Sequence, residues 1–195
     1  MIWKDGVPKA DGVDDWRDSA VIGGICHLFD LPLKPMMSLY LTEHGRIIRC
    51  PGDDPCDTSR DNSIPPIAAA YRSGLIEEYR VTIERTLQTN LFQNGDLLSP
   101  AHRGFLKYVL YGKSLSMFEA LWLNLDIFFT AKFQPLAEPN QLLCMLKVLD
   151  RIYLKRYCYF NPYWRQGIRK YWGSDHKREA GLAEHMILDI ERDIL

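Results

Sequence analysis

Three dipeptides, Ser99-Pro100, Glu138-Pro139 and Asn161-Pro162, each stand at the head of a stretch with helical period. Proline lacks an N–H and has a φ already suited to a helix, so the first helical position accepts it without cost. These breaks divide the second half of the chain into helices and leave little room for a sheet. The periodicity predicts helices at 63–73, 75–89, 100–111, 116–133, 139–159, 162–172 and 179–194. Upstream, Asp14 is placed to cap a helix running to about Phe29, with Asp15 and Asp18 in its first turn, where the helix dipole favours acids. Gly23-Gly24 inside that span costs about 1 kcal/mol per glycine relative to alanine, so it marks a close helix contact or a break.

One segment reads differently. Leu39-Tyr-Leu-Thr42 and Arg46-Ile-Ile-Arg49 flank Glu43-His44-Gly45, the pattern of a β-hairpin. The expectation is a single helical domain over 1–195. It is mainly α, a multi-helix orthogonal bundle or partial α/α array, with one small β-hairpin inserted near 39–50.

A chain of 195 residues with 47% apolar and 25% charged residues can bury its own core without metal or disulfides. Its net charge of −1 argues against wholesale attraction to nucleic acid or anionic lipid. The most apolar stretch, Met117 to Phe133, is broken by Glu119, Asn124, Asp126 and Lys132, so it reads as a core helix and no membrane span is expected. Met1 to Asp15 lacks the apolar run of a signal peptide, and five cysteines without framework spacing suit a reducing cytosol. Cys144 and Cys158 lie in apolar surroundings and read as small core residues.

The polar residues that a core alone does not require gather at helix starts. Trp16-Arg17-Asp18-Ser19 and Ser59-Arg60-Asp61-Asn62 share an Arg-Asp-polar core, and Asn94-Gly-Asp-Leu-Leu-Ser-Pro-Ala-His-Arg103 sets an acid, a His and an Arg around a third start. Helix N-termini carry unpaired N–H groups and a partial positive charge that attract oxygen-rich ligands. If alternate N-termini share one face, Asp15, Arg17, Asp18, Asp57, Arg60, Asp61, Asp96, His102 and Arg103 converge on one cleft, with the groups needed for acid–base chemistry. Asp and Ser at helix starts are also ordinary caps, and Arg-Asp pairs often tie loops to helices. His44, Cys50 and Cys56 are too widely spaced for a structural zinc site, and neither an EF-hand order of acids nor any nucleotide, hydrolase or metalloprotease motif occurs. No metal or cofactor is expected.

The stretch Arg151 to Trp172 interleaves eight aromatic rings with six bases and no acid. Tyr163 and Trp164 could stack on a ligand there. The spacing of Tyr153, Tyr157, Phe160 and Trp164 equally suits a buried stripe with its bases on the wet side.

Cys56-Asp-Thr-Ser-Arg-Asp-Asn62 followed by Asn94-Gly-Asp-Leu-Leu-Ser-Pro100 resembles uncharacterised proteins encoded in tailed-bacteriophage genomes, over residues 14–112. The Arg-Asp helix starts also resemble those of α/α-toroid glycan-active proteins, which need about twelve helices. Neither resemblance transfers a catalytic residue. Two functions follow as expectations. In the first, the cleft binds or cleaves an oxygen-rich polymer such as a glycan. Asp18, Asp61 or Asp96 then supply acid–base groups, His102 titrates with them, and Arg17, Arg60, Arg103, Tyr163 and Trp164 hold the ligand. In the second, the chain is a non-enzymatic viral structural or host-interaction protein, assembling with itself or with another protein through its aromatic and basic C-terminal third.

Overall fold

The computed structural model describes residues 2–4, 7–9, 19–31, 37–41, 46–48, 60, 62–93, 96–133, 139–149, 163, 165, 166, 169 and 180–194. Helices dominate them: α1 (Ser19–Leu28), α2 (Ile64–Arg72), α3 (Arg80–Gln88), α4 (Pro100–Tyr111), α5 (Met117–Lys132), α6 (Pro139–Val148) and α7 (Ala180–Ile194). Two small antiparallel ladders accompany them, β1 (Ile2–Lys4) with β2 (Val7–Lys9) and β3 (Phe92–Gln93) with β4 (Asp96–Leu97). The protein is mainly α.

Helix α2 organises the rest. Its prolines, Pro65 and Pro66, fall in the first turn, where a missing N–H loses no helical bond. The alanines that follow have the highest helix propensity. Every residue from Ile64 to Ala70 is buried, so the helix is surrounded, touching α1, α4, α6 and the 3-10 turn Met37–Tyr40. Small side chains at 68–70 let these neighbours approach. The closest approach is to α1, where a Cβ on Gly24 would sit 2.5 Å from the Pro65 carbonyl carbon. The glycine pair of α1 is therefore a contact and not a break. Gly24→Ala regains about 1 kcal/mol of helix propensity, but it forces two backbones apart. We expect a net loss of about 2 kcal/mol, read as a lower denaturation midpoint with an unchanged m-value.

Helices α4 and α5 form an antiparallel pair, each opened by a reciprocal capping box. In α4, Ser99 and His102 exchange bonds; in α5, Ser116 and Glu119 do. Gly112, at φ +64°, closes α4 by donating its N–H to the Tyr108 carbonyl. Gly104 faces the Glu119 side chain, where an added Cβ would lie 2.9 Å from the Glu119 Cβ. Glu119 also accepts from Ser116 N (2.8 Å) and from Lys107 Nζ (2.9 Å), which turns its charge inward. At the other side of the core, residues 141–149 of α6 and the following turn are buried. There α7 docks through Met186, Ile187 and Ile190.

Three sequence expectations differ in detail. Leu39 and Tyr40 belong to a 3-10 turn rather than a strand; of the expected hairpin the described residues show a bridge from Leu41 to Ile47 and the Ile48 N–H donating to the Tyr40 carbonyl at 2.8 Å, while 42–45, 49 and 50 lie outside them. The cause is tertiary: Tyr40 is fully buried and its hydroxyl meets Ser19 Oγ at 3.0 Å. The helix expected from 75 begins at Arg80, because Tyr79 is pulled into the core, where its hydroxyl donates to the Met37 carbonyl at 3.0 Å. Finally, β3 and β4 flank Asn94-Gly95, a two-residue hairpin signal in a segment that reads as a helix start. The expected helical residues 14–18, 150–159, 162, 164, 167, 168, 170–172 and 179 lie outside the described residues.

Candidate functional site

The helix starts do meet, as far as they are described. Arg60 lies in the turn before α2, and Arg103 lies in the first turn of α4. The guanidinium of Arg60 donates to Thr89 Oγ1 (2.8 Å), the Asn90 carbonyl (2.6 Å) and the Gln93 carbonyl (2.9 Å). Arg103 donates to the carbonyls of Thr89 (2.9 Å) and Leu87 (2.5 Å). Nearby in the fold, Gln141 of α6 donates to Asn62, just before α2, at 3.3 Å. The starts of α2 and α4 therefore both reach Thr89 at the end of α3, and the start of α6 reaches the turn before α2.

What the two arginines hold is main chain. Arg103 reaches the last turn and C-cap of α3, where helix carbonyls lack intrahelical partners and the dipole is negative, and Arg60 reaches the Thr89 hydroxyl and the segment that follows. This gives both a structural task independent of any ligand. Arg103→Ala strands two carbonyls, for which we expect a loss of about 2 kcal/mol. Hydrogen exchange should accelerate selectively in residues 86–93, and an unchanged exchange pattern there would refute the assignment.

His102 sits beside Arg103 with none of its surface in solvent. Its Nδ1 accepts from the Ser99 N–H at 3.2 Å, so that nitrogen carries no proton. Ser99 Oγ bonds Asp126 Oδ2 across the α4–α5 interface at 3.1 Å. In the sequence Asp126 stands out only as an acid interrupting the most apolar stretch. It is fully buried, and burial pushes its carboxyl up to about 6, offset in part by the Ser99 bond. Its Oδ1 has no hydrogen-bond partner among the described residues. Serine, histidine and aspartate thus lie together, but the wiring is not that of an activated nucleophile. Ser99 Oγ bonds the carboxylate, and the histidine ring faces the Ser99 backbone rather than its hydroxyl.

Of the other candidates, Asp96 and Tyr163 are among the described residues. Asp96 belongs to β4, paired with Gln93. Arg17, Asp18, Asp61 and Trp164 lie outside the described residues. Tyr163 packs its ring 5.1 Å from that of Phe128, with Lys132 Nζ 4.8 Å above it. Two bases of the C-terminal run face acids of α7: Arg165 pairs with Glu191, and Arg169 with Glu184 at 2.6 Å. Cys26 and Cys144 are buried thiols, both pushed up by burial and so poor nucleophiles. Among the described residues no three metal-ligating side chains cluster, and no helix is long and apolar enough to cross a membrane.

The surface feature that sequence reasoning missed is the outer side of α5. Met117 is 83% exposed, Phe118 61%, Leu121 56% and Leu125 37%. Phe118 and Trp122 meet edge to face at 6.3 Å, and Phe128 continues the stripe toward Tyr163. The inner side of the same helix buries Ala120, Leu123 and Ile127. The helix is therefore apolar on both sides, a pattern that belongs to buried helices. The signal is present in the sequence, but the apolar content of Met117 to Phe133 makes the whole stretch read as core. Compared with protein families, with curated proteins and with solved structures, the chain matches none of them.

Proposed function

We propose that this protein works by assembling with other protein, through the outer side of α5. One observation carries the reading: Met117, Phe118, Leu121 and Leu125 stand exposed along one helix whose other side packs into the core. Isolated exposed leucines are ordinary, but a contiguous stripe of this kind marks a contact surface. The aromatic cluster of Phe128, Phe133 and Tyr163 adjoins its C-terminal end, so the stripe runs toward the aromatic C-terminal third of the chain. This is the equipment of a structural or host-interaction component. The glycan reading is less well supported, because His102 and Asp126 have no solvent-exposed surface and Arg60 and Arg103 are engaged by main-chain carbonyls.

The test is a photo-crosslinking residue, p-benzoylphenylalanine, placed at Leu121 in the chain's native cellular setting. The expected result is a light-dependent protein adduct of discrete mass, absent when the same residue stands at Leu188, the exposed apolar position of α7. No adduct at Leu121, or equal labelling at both positions, defeats the reading.

A further inference from the structure

We propose that the occupant of the α5 face is a second copy of this chain, forming an isologous antiparallel dimer. The inference rests on the reading of α5 as a contact surface and names its partner. Phe118, Leu121, Leu125 and Phe128 follow one another at intervals of three, four and three residues. That is the seam along which two helices interlock side chains at a shallow crossing of about 20°. Such a seam asks for another helix bearing the same pattern, and α5 of a second copy is one. Antiparallel pairing about a twofold axis sets Leu121 against Leu125 of the second copy, and Phe118 against Phe128. Each leucine meets a leucine and each ring meets a ring.

Charge and area agree with this choice. Between Phe118 and Phe128 the seam carries only two charged residues, Glu119 and Asp126, and both are turned inward, to Lys107 and to Ser99; beyond it Lys132 stands over the Tyr163 ring. The seam therefore brings no like charges together when it meets itself. Between Phe118 and Phe128 it also offers no ion pair by which a different partner would be selected. At roughly 200 Å² for a fully exposed large apolar side chain, the exposed fractions of Met117, Phe118, Leu121 and Leu125 amount to about 500 Å². Half-buried Trp122 and Phe128 and the polar rim extend this toward the roughly 800 Å² per partner that a stable dimer needs. Homodimer interfaces are also the more apolar class.

The experiment is sedimentation velocity of the purified full chain at about 100 µM, a concentration that saturates a micromolar Kd. Leu121→Glu, Phe118→Gln and the control Leu188→Glu are measured beside it. We expect twice the chain mass for the wild type and for Leu188→Glu, and a halved mass for Leu121→Glu with an unchanged circular dichroism spectrum. Phe118→Gln, the milder change, should shift the same equilibrium if Leu121→Glu proves poorly folded. A monomeric wild type overturns the inference, as does a dimer indifferent to both seam substitutions. A monomer in solution combined with a Leu121 photo-adduct to a different protein removes the dimer but keeps α5 as a contact surface. A monomer with no adduct removes both.

Discussion

Replacing Asp126 with Asn should stabilise the protein at neutral pH by about 3 kcal/mol. In the unfolded chain the carboxyl ionises near its ordinary value of 3.8; in the fold, burial raises it to about 6. The folded state therefore holds a proton that the unfolded state has released throughout that window. Stability from this group is complete below pH 4 and falls as pH rises from 4 to 6. Above 6 it carries the full cost of a buried carboxylate, about 1.4 kcal/mol for each tenfold gain in proton affinity on folding. Asparagine keeps the shape and can still bond Ser99, but has no charge to desolvate. Urea titrations of wild type and Asp126→Asn at pH 4, 5, 6 and 7 test this. The difference should be small at pH 4 and grow to a plateau beyond pH 6. A variant less stable than wild type at pH 7 would show that the carboxylate has a partner worth more than its burial.

The opposite effect is expected at the junction of α6 and α7. Lys147 and Asp189 meet at 2.7 Å with side chains only 5% and 10% exposed. Burial alone would raise the Asp189 carboxyl, but the hydrogen bond and charge of Lys147, with Arg192 added, hold it below the ordinary carboxylate range. The pair thus contributes stability above the unfolded carboxyl's pKa, and that contribution is lost as pH falls through the lowered folded value. Lys147→Met sets an apolar chain in place of the ammonium over the Phe29 ring and leaves Asp189, among the described residues, with the largely exposed Arg192 as its cation. We expect a loss of about 3 kcal/mol, the cost of stranding one member of a buried pair. Combining it with Asp189→Leu should recover most of that loss, since an apolar pair of similar volume carries no desolvation penalty. If Lys147→Met alone costs less than about 1 kcal/mol, the pair behaves as a surface bridge.

Much of the fold was legible because it rests on local chemistry. The starts of α4 and α5 follow from Ser99-Pro100 and from Ser116 with Glu119, since caps and N1 prolines act within one turn. Segments whose conformation depends on distant contacts were less legible. Tyr40 and Tyr79 carry strand-like or helical patterns, yet each is held in a turn by a hydroxyl bonded more than twenty residues away. The candidate site divides in the same way. Arg60 and Arg103 were recognisable as special, and both reach Thr89, but a sequence cannot say that their donors are taken by the end of α3 and the segment after it. Asp126 was recognisable as out of place, though its burial and its Ser99 bond depend on how α4 lies against α5.

A mainly helical chain, most of its helix ends and the polar groups at helix starts could all be read from residue order, because each depends on interactions spanning at most a turn or two. Which side of each helix meets water could not, because that depends on neighbours distant in the chain. Helix α5 is apolar on every side, so its periodicity does not reveal the covered face; only the packing of α4 and α6 leaves Leu121 and Leu125 uncovered.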